Sequence, residues 1–161
     1  MEEAPAMKET MGIKRLDHVC WAVERMDEVL PLLTELMGMT VAGRFENREM
    51  GYRGVDLKVP GGTAHFELLE PLGDDSFLLR FLRERGPGLH HVTFEVDDTE
   101  RAARAMRRFG IEPFRGVQRS GSWIETYMHP RDSGGVLFQF YTEAADHQPD
   151  PGHSHDPIPP K

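Results

Sequence analysis

The sequence predicts an α+β fold built from two βαβββ modules in tandem, and three observations predict it. Leu16-Asp17-His18-Val19-Cys20-Trp21-Ala22-Val23 is echoed by Leu89-His90-His91-Val92-Thr93-Phe94-Glu95-Val96 at a constant offset of 73 residues, which sets His18 on His91, Val19 on Val92 and Val23 on Val96. A self-match at a fixed offset marks a repeated structural unit. Each copy is followed by a helical pattern stopped by glycine, Met37-Gly38-Met39 in the first and Phe109-Gly110-Ile111 in the second. After each helix come three alternating, strand-like runs, with Gly61-Gly62 and Gly134-Gly135 at equivalent places before the last.

The elements follow in order. Residues 1–13 read as a flexible arm, residues 14–72 as the first module, 73–88 as a connector with a helix, 89–143 as the second module and 144–161 as a disordered tail. In the first strand, Leu16 to Val23, alternation puts Leu16, His18, Cys20 and Ala22 on one face. Asp17, Val19, Trp21 and Val23 fall on the other, where the larger apolar side chains call for a covering helix. That helix, Met26 to Met37, has a broad apolar stripe of Val29, Leu30, Leu32, Leu33, Leu36 and Met37, with Pro31 in its first turns. Strands are expected at about 40–48, 52–59 and 63–69, with Pro60-Gly61-Gly62 as the turn before the last. Asp75 or Ser76 caps a connector helix over Phe77 to Arg85, and Gly86-Pro87-Gly88 breaks it. The second module repeats the plan: a strand over Leu89 to Val96, a helix over Glu100 to Phe109 capped by Asp97-Asp98-Thr99, then strands near 113–119, 122–129 and 135–142. The Pro-rich polar stretch beyond Glu143 lacks the apolar surface to order itself.

Composition narrows the function. A chain of 161 residues with 39% hydrophobic and 29% charged residues is one compact domain with a core of its own. A net charge of −8 argues against nucleic acid or an anionic membrane as the main partner. The single Cys20 cannot form an internal disulfide. No apolar run approaches a membrane span, and Met1-Glu2-Glu3-Ala4-Pro5-Ala6 resembles neither a secretory signal nor a transit peptide. The expectation is a cytoplasmic protein whose partner is a small molecule.

Four polar side chains fall on strand faces that look away from the helices: His18 and Glu67 in the first module, His91 and Gln139 in the second. The intervals are 49 residues from His18 to Glu67 and 48 from His91 to Gln139. Singly, each reads as a satisfied or solvated strand residue. Matched, and with the modules packed edge to edge, they converge, and two imidazoles, a carboxylate and an amide oxygen suit a borderline divalent metal. By the same alternation His90 faces the helix side as a structural residue, and His65 shares the face of Glu67.

The chain resembles the vicinal oxygen chelate superfamily, most closely its methylmalonyl-CoA epimerase branch. The resemblance is carried by Leu16-Asp17-His18-Val19, by the run from Phe66-Glu67-Leu68-Leu69 to Gly73-Asp74-Asp75-Ser76, by Gly88-Leu89-His90-His91-Val92, and by His129-Pro130-Arg131-Asp132-Ser133-Gly134-Gly135-Val136-Leu137. It implies that the eight strands form one cupped, mostly antiparallel sheet. It implies a metal site at His18, Glu67, His91 and Gln139, holding Co, Mn, Zn or Ni, and an enolate made by loss of an α-proton. A small-molecule substrate of the acyl-CoA class and a homodimer are also implied. Gln139 departs from the family, which has there a Glu that is both ligand and base; an amide oxygen can ligate but takes no proton near neutral pH. Glu67 is then expected to carry the role of that Glu, with Asp56 or Glu125 as the second base. Arg115, Arg119 and Arg131 are candidates to meet a CoA phosphate or a substrate carboxylate. Competing readings keep the scaffold. One is a glyoxalase-type lyase, one an Fe(II) dioxygenase using His18, His91 and Glu67, and one a ligand-binding cup without catalysis. The Gly152-His153-Ser154-His155-Asp156 segment could bind a stray metal but reads as tail.

Overall fold

A computed structural model describes residues 9–143; most of the expected arm, residues 1–8, and the whole expected tail, 144–161, lie outside the described residues. The first module comprises β1 (Ile13–Ala22), α1 (Met26–Pro31), β2 (Thr40–Asn47), β3 (Tyr52–Lys58) and β4 (His65–Pro71). The connector carries α2 (Phe77–Arg85), and the second module β5 (Gly88–Val96), α3 (Thr99–Phe109), β6 (Phe114–Ser120), β7 (Trp123–Met128) and β8 (Leu137–Glu143). The eight strands form one sheet in the order β2-β3-β4-β1-β5-β8-β7-β6. Only β1–β4 and β5–β8 are parallel, and β1 and β5 meet antiparallel at the centre. The modules are thus related by a pseudo-twofold axis between β1 and β5. Among the described residues no helix is long and apolar enough to cross a membrane.

Local sequence sets the ends of the helices. Asp98 Oδ1 accepts from the N–H groups of Glu100 (2.8 Å) and Arg101 (3.1 Å), and Gly110 closes α3 at φ 92° with the Ile111 N–H bonded back to Met106. Ser76 caps α2, and Gly86 ends it. The single helix expected over Met26 to Met37 is instead six residues of α-helix followed by a π-helical turn, Leu32–Leu36. Pro31 is the cause: it lacks an N–H and its ring crowds the preceding turn, so the chain widens beyond it. The N-terminus of α1 is capped from β4, where the buried Glu70 carboxylate accepts the Met26 N–H and an Arg53 N–H.

Helices α1 and α3 cover the outer face of the sheet. Val23, Met26, Leu33, Val55, Leu57 and Leu68 form the core under α1, and Val96, Ala102, Met106 and Phe140 that under α3. Burying side chains of this size stabilises the fold by about 1.5–3 kcal/mol each. The connector helix does something else. Leu78 and Leu82 of α2 pack with Cys20, Ala22 and Leu69 on the inner face, so α2 closes part of the cup.

The central β1–β5 pairing breaks alternation. Its register shifts skip Lys14 and Asp17 in β1 and His90 in β5, each as the extra residue of a bulge. Asp17, expected beneath α1, therefore lies on the inner face beside His18. His90, expected on the helix-packed outer face, instead packs edge-on against Phe77 and Phe81 of α2, with centroids 5.8 and 4.9 Å away. β1 begins at Ile13 rather than Leu16, with Met11 packed on the α3 core.

Candidate metal centre in the cup

Two rungs of the sheet build the site. One runs Asp56, Glu67, Cys20, His91, Leu137 across β3, β4, β1, β5 and β8. The next runs His65, His18, Thr93, Gln139, Tyr127 across β4, β1, β5, β8 and β7. Residues paired across a ladder share a face, and so do residues two apart along a strand, so both rungs point into the cup. Each module supplies one residue of the candidate set to each rung.

The four side chains are buried, with 2% exposure at His18, 5% at Glu67, 4% at His91 and 2% at Gln139. His18 Nε2 stands 3.2 Å from His91 Nε2 and 4.0 Å from Glu67 Oε2. One ligating atom from each of His18, Glu67 and His91 lies within 4.8 Å of the others, so the three are placed to hold a metal ion. Gln139 joins through Thr93, whose hydroxyl donates to Gln139 Oε1 (2.7 Å) and lies 3.0 Å from His18 Nε2. The Gln139 amide nitrogen donates the other way, to Glu125 Oε2 (2.7 Å) and the Tyr127 hydroxyl (3.4 Å), which turns its oxygen toward the imidazoles.

The surrounding groups fit this set to a cation. Asp17 Oδ2 lies 2.8 Å from His18 Nδ1, which holds the proton there and presents Nε2 as the lone pair. Tyr141 donates to the other Asp17 oxygen (2.8 Å), and Arg15 reaches both Tyr141 and Asp17. His91 Nδ1 lies 2.9 Å from His90 Nδ1. Burial, with Arg85 adding to it, lowers the His90 pKa to about 4, so His90 is neutral and can accept that proton. Two Nε2 lone pairs facing each other across 3.2 Å call for a positive charge between them. Burial works to lower the His18 pKa, but the Asp17 hydrogen bond and the Glu67 charge outweigh it and hold it above the usual value. Burial raises the Glu67 carboxyl, against the opposing pull of His18 and a hydrogen bond from Cys20.

Asp56 is cross-strand from Glu67, on the same wall of the cup, and its Oδ2 is engaged by His65 Nδ1 at 2.7 Å. Glu125 is buried on the opposite wall, accepting from the Trp123 indole (2.7 Å) as well as from Gln139. Of the candidate arginines, Arg119 pairs with Glu100 of α3 and so belongs to the outer side, Arg115 lies over Phe114, and Arg131 lines a cavity of the cup. Asp17, Thr93 and Tyr141 carry parts of the site that no sequence motif marks. Thr93 was at least legible by alternation, as a neighbour of His91 on the same face.

Two imidazoles, a carboxylate and an amide oxygen, drawn equally from two pseudo-symmetric modules, make a donor set of the vicinal oxygen chelate kind. Residues 17–127 match the family model described as the Glyoxalase/Bleomycin resistance protein/Dioxygenase superfamily. The mouse mitochondrial methylmalonyl-CoA epimerase is 30% identical over 141 residues, covering 86% of this chain and 76% of its own length. The crystal structure of the Mycobacterium tuberculosis methylmalonyl-CoA epimerase superposes with a TM-score of 0.70 at 29% identity, covering 88% of this chain and 94% of that one. A Streptomyces coelicolor methylmalonyl-CoA epimerase variant, solved with 2-nitronate-propionyl-CoA, gives a TM-score of 0.69 at 30% identity, covering 83% of this chain and all (100%) of the other. The chain belongs to that superfamily, in its branch of metal-dependent epimerases.

Proposed function

We propose that the protein interconverts the epimers of a 2-carboxyacyl-CoA thioester of the methylmalonyl-CoA type by removing and returning its α-proton. The observation that carries this reading is the convergence of His18, Glu67 and His91, with the Gln139 oxygen beside them, in a buried cup. Relatives of the same fold that act on methylmalonyl-CoA support the substrate class. His18, Glu67, His91 and Gln139 would hold a divalent ion of the Co, Mn, Zn or Ni kind, which when bound would supply Lewis-acid stabilisation of enolate charge.

The chain itself handles the proton. Epimerisation needs an acid/base on each face of a planar enolate. Gln139 offers an oxygen and no base. Glu67, buried in the cup, takes one face. Glu125 on the opposite wall takes the other, since Asp56 shares the wall of Glu67. Asp17 keeps the His18 ring aimed throughout.

The test uses protein loaded separately with each ion and given a single epimer of methylmalonyl-CoA in deuterated water. Conversion to a mixture of the two epimers with uptake of deuterium at the α-carbon is the expected result. No exchange with any of the ions would end the reading. His18, Glu67 and His91 are also a two-His, one-carboxylate triad suited to iron, so oxygen uptake by the iron-loaded protein would reassign the site. We also infer a homodimer acting in the cytoplasm, to be checked by light scattering and cell fractionation.

A further inference from the structure

Cys20 sits between two residues of the metal centre without being one of its donors. It is the cross-strand neighbour of Glu67 on β4 and of His91 on β5, and it is fully buried. With the two histidines of β5 it makes a second group: one ligating atom from each of Cys20, His90 and His91 lies within 4.8 Å of the others. The two groups share His91 and differ in chemistry. The first sets a carboxylate and an amide oxygen beside its imidazoles, and the second sets a sulfur there. Sulfur with imidazole selects thiophilic ions such as Zn(II), Cu(I) or Cd(II), whereas Mn(II) keeps to oxygen donors.

The shared ring presents a different nitrogen to each group. His91 Nε2 faces His18 Nε2 at 3.2 Å, and His91 Nδ1 faces His90 Nδ1 at 2.9 Å. A neutral imidazole has one N–H and one lone pair. With its proton on Nδ1, His91 offers Nε2 to the first group. With its proton on Nε2 it offers Nδ1 to the second, and His18 Nε2 is in place to accept that proton. His90 also lines the cavity between α2 and the turn at residues 130–135, which gives an ion a way in. We propose that Cys20, His90 and His91 form a second cation position, for a thiophilic ion, whose filling excludes the first; the exclusion rests on the metal centre proposed above. On binding, the Cys20 sulfur bonds to the ion and its proton passes to Glu67, which already accepts it in a hydrogen bond. The His91 proton shifts from Nδ1 to Nε2. Glu67 is then neutral and the His91 lone pair faces the other way, so the first centre loses two of its donors. The position is inhibitory for an enzyme that works with an ion of the first kind.

The probe is Cd(II), added to full-length wild type loaded with Mn(II). Sulfur bound to cadmium absorbs in the ultraviolet, and Cys20 is the chain's single cysteine, so that band reports this position alone. The expected result is a band that grows as manganese is released, followed by the electron spin resonance of the free ion. In His90→Phe, which keeps a ring against Phe77 and Phe81, the cadmium concentration at half-saturation should rise about tenfold or more. No band, a band that leaves the manganese in place, or a band equally sensitive to cadmium in the variant overturns the proposal. If His90→Phe does not fold, X-ray absorption of cadmium-loaded wild type decides: sulfur with two imidazoles upholds the position, and sulfur with oxygen alone overturns it. Wild type that binds no manganese counts against the first metal centre on its own account, and the band and its dependence on His90 still decide the second.

Discussion

Replacing Gln139 by Glu restores the carboxylate found in the family and puts it against Glu125, where the amide nitrogen now donates at 2.7 Å. Two buried carboxylates at about 3 Å repel by roughly 5–6 kcal/mol at an effective dielectric constant near 20. The chain has a less costly escape, which is to keep a proton on one of them. Holding a carboxyl of pKa about 4.3 protonated at pH 7 costs about 3.7 kcal/mol, at roughly 1.4 kcal/mol per pH unit. The smaller figure wins, so metal-free Q139E should lose about 3–4 kcal/mol of stability at pH 7. The sign follows from linkage: the folded variant then carries a carboxyl with a raised pKa, so it binds more protons than the unfolded chain. Its deficit is absent below about pH 4 and grows as pH rises from there. Urea denaturation of metal-free wild type and variant from pH 4 to pH 8 measures this directly. The double variant Q139E/E125Q exchanges amide and carboxylate, keeps the hydrogen bond and should recover most of the loss. A deficit under about 1 kcal/mol at pH 7, or one flat with pH, would refute this account of the Gln139–Glu125 pair.

Three further outcomes are expected. Asp17→Asn removes the carboxylate that orients His18, and metal affinity in chelator competition should fall about 10–100-fold; an unchanged affinity would remove Asp17 from the site. In Glu125→Gln, one epimer of the substrate should still exchange its α-proton with deuterated water while epimerisation slows by about 10²–10⁴, whereas equal loss of exchange from both epimers would argue against a two-wall mechanism. Metal-free wild type should lose stability as pH rises, because His18 and Glu67 both have raised pKa values when folded. The His18 contribution is complete below the unfolded imidazole value of about 6.5 and is lost through its higher folded value, and Asp17→Asn should flatten that part of the curve.

Much of this was legible in the sequence for a simple reason: side-chain direction along a strand has a period of two. Alternation was enough to place His18, Glu67, His91 and Gln139 on one face, and the repeat fixed which strands carry them. It failed where the period itself fails. Asp17 and His90 are the extra residues of bulges in the β1–β5 ladder, and a bulge leaves no mark in composition. The π-helical turn after Pro31 was hidden in the same way, since the apolar stripe of α1 reads alike in either geometry. Arg119 and Arg131 have equal standing in the sequence, yet one pairs with α3 outside the sheet and the other lines the cup. What separates them is position: Arg119 lies on β6 beside α3, and Arg131 on the turn between β7 and β8. The connector helix was expected by its cap and its length, but nothing in its sequence says which layer it joins.

That helix matters beyond packing. The metal centre is nearly the same when the modules are exchanged, and a symmetrical pocket could accept a thioester in either of two opposed orientations. Helix α2 fills the inner face over Cys20, Ala22 and Leu69 and leaves the way open beside His91. Under the function proposed above, a substrate entering there would have a single heading, and the same prochiral face would always meet Glu67. The handedness of each proton transfer would then be set by a segment that contributes no ligand and no base.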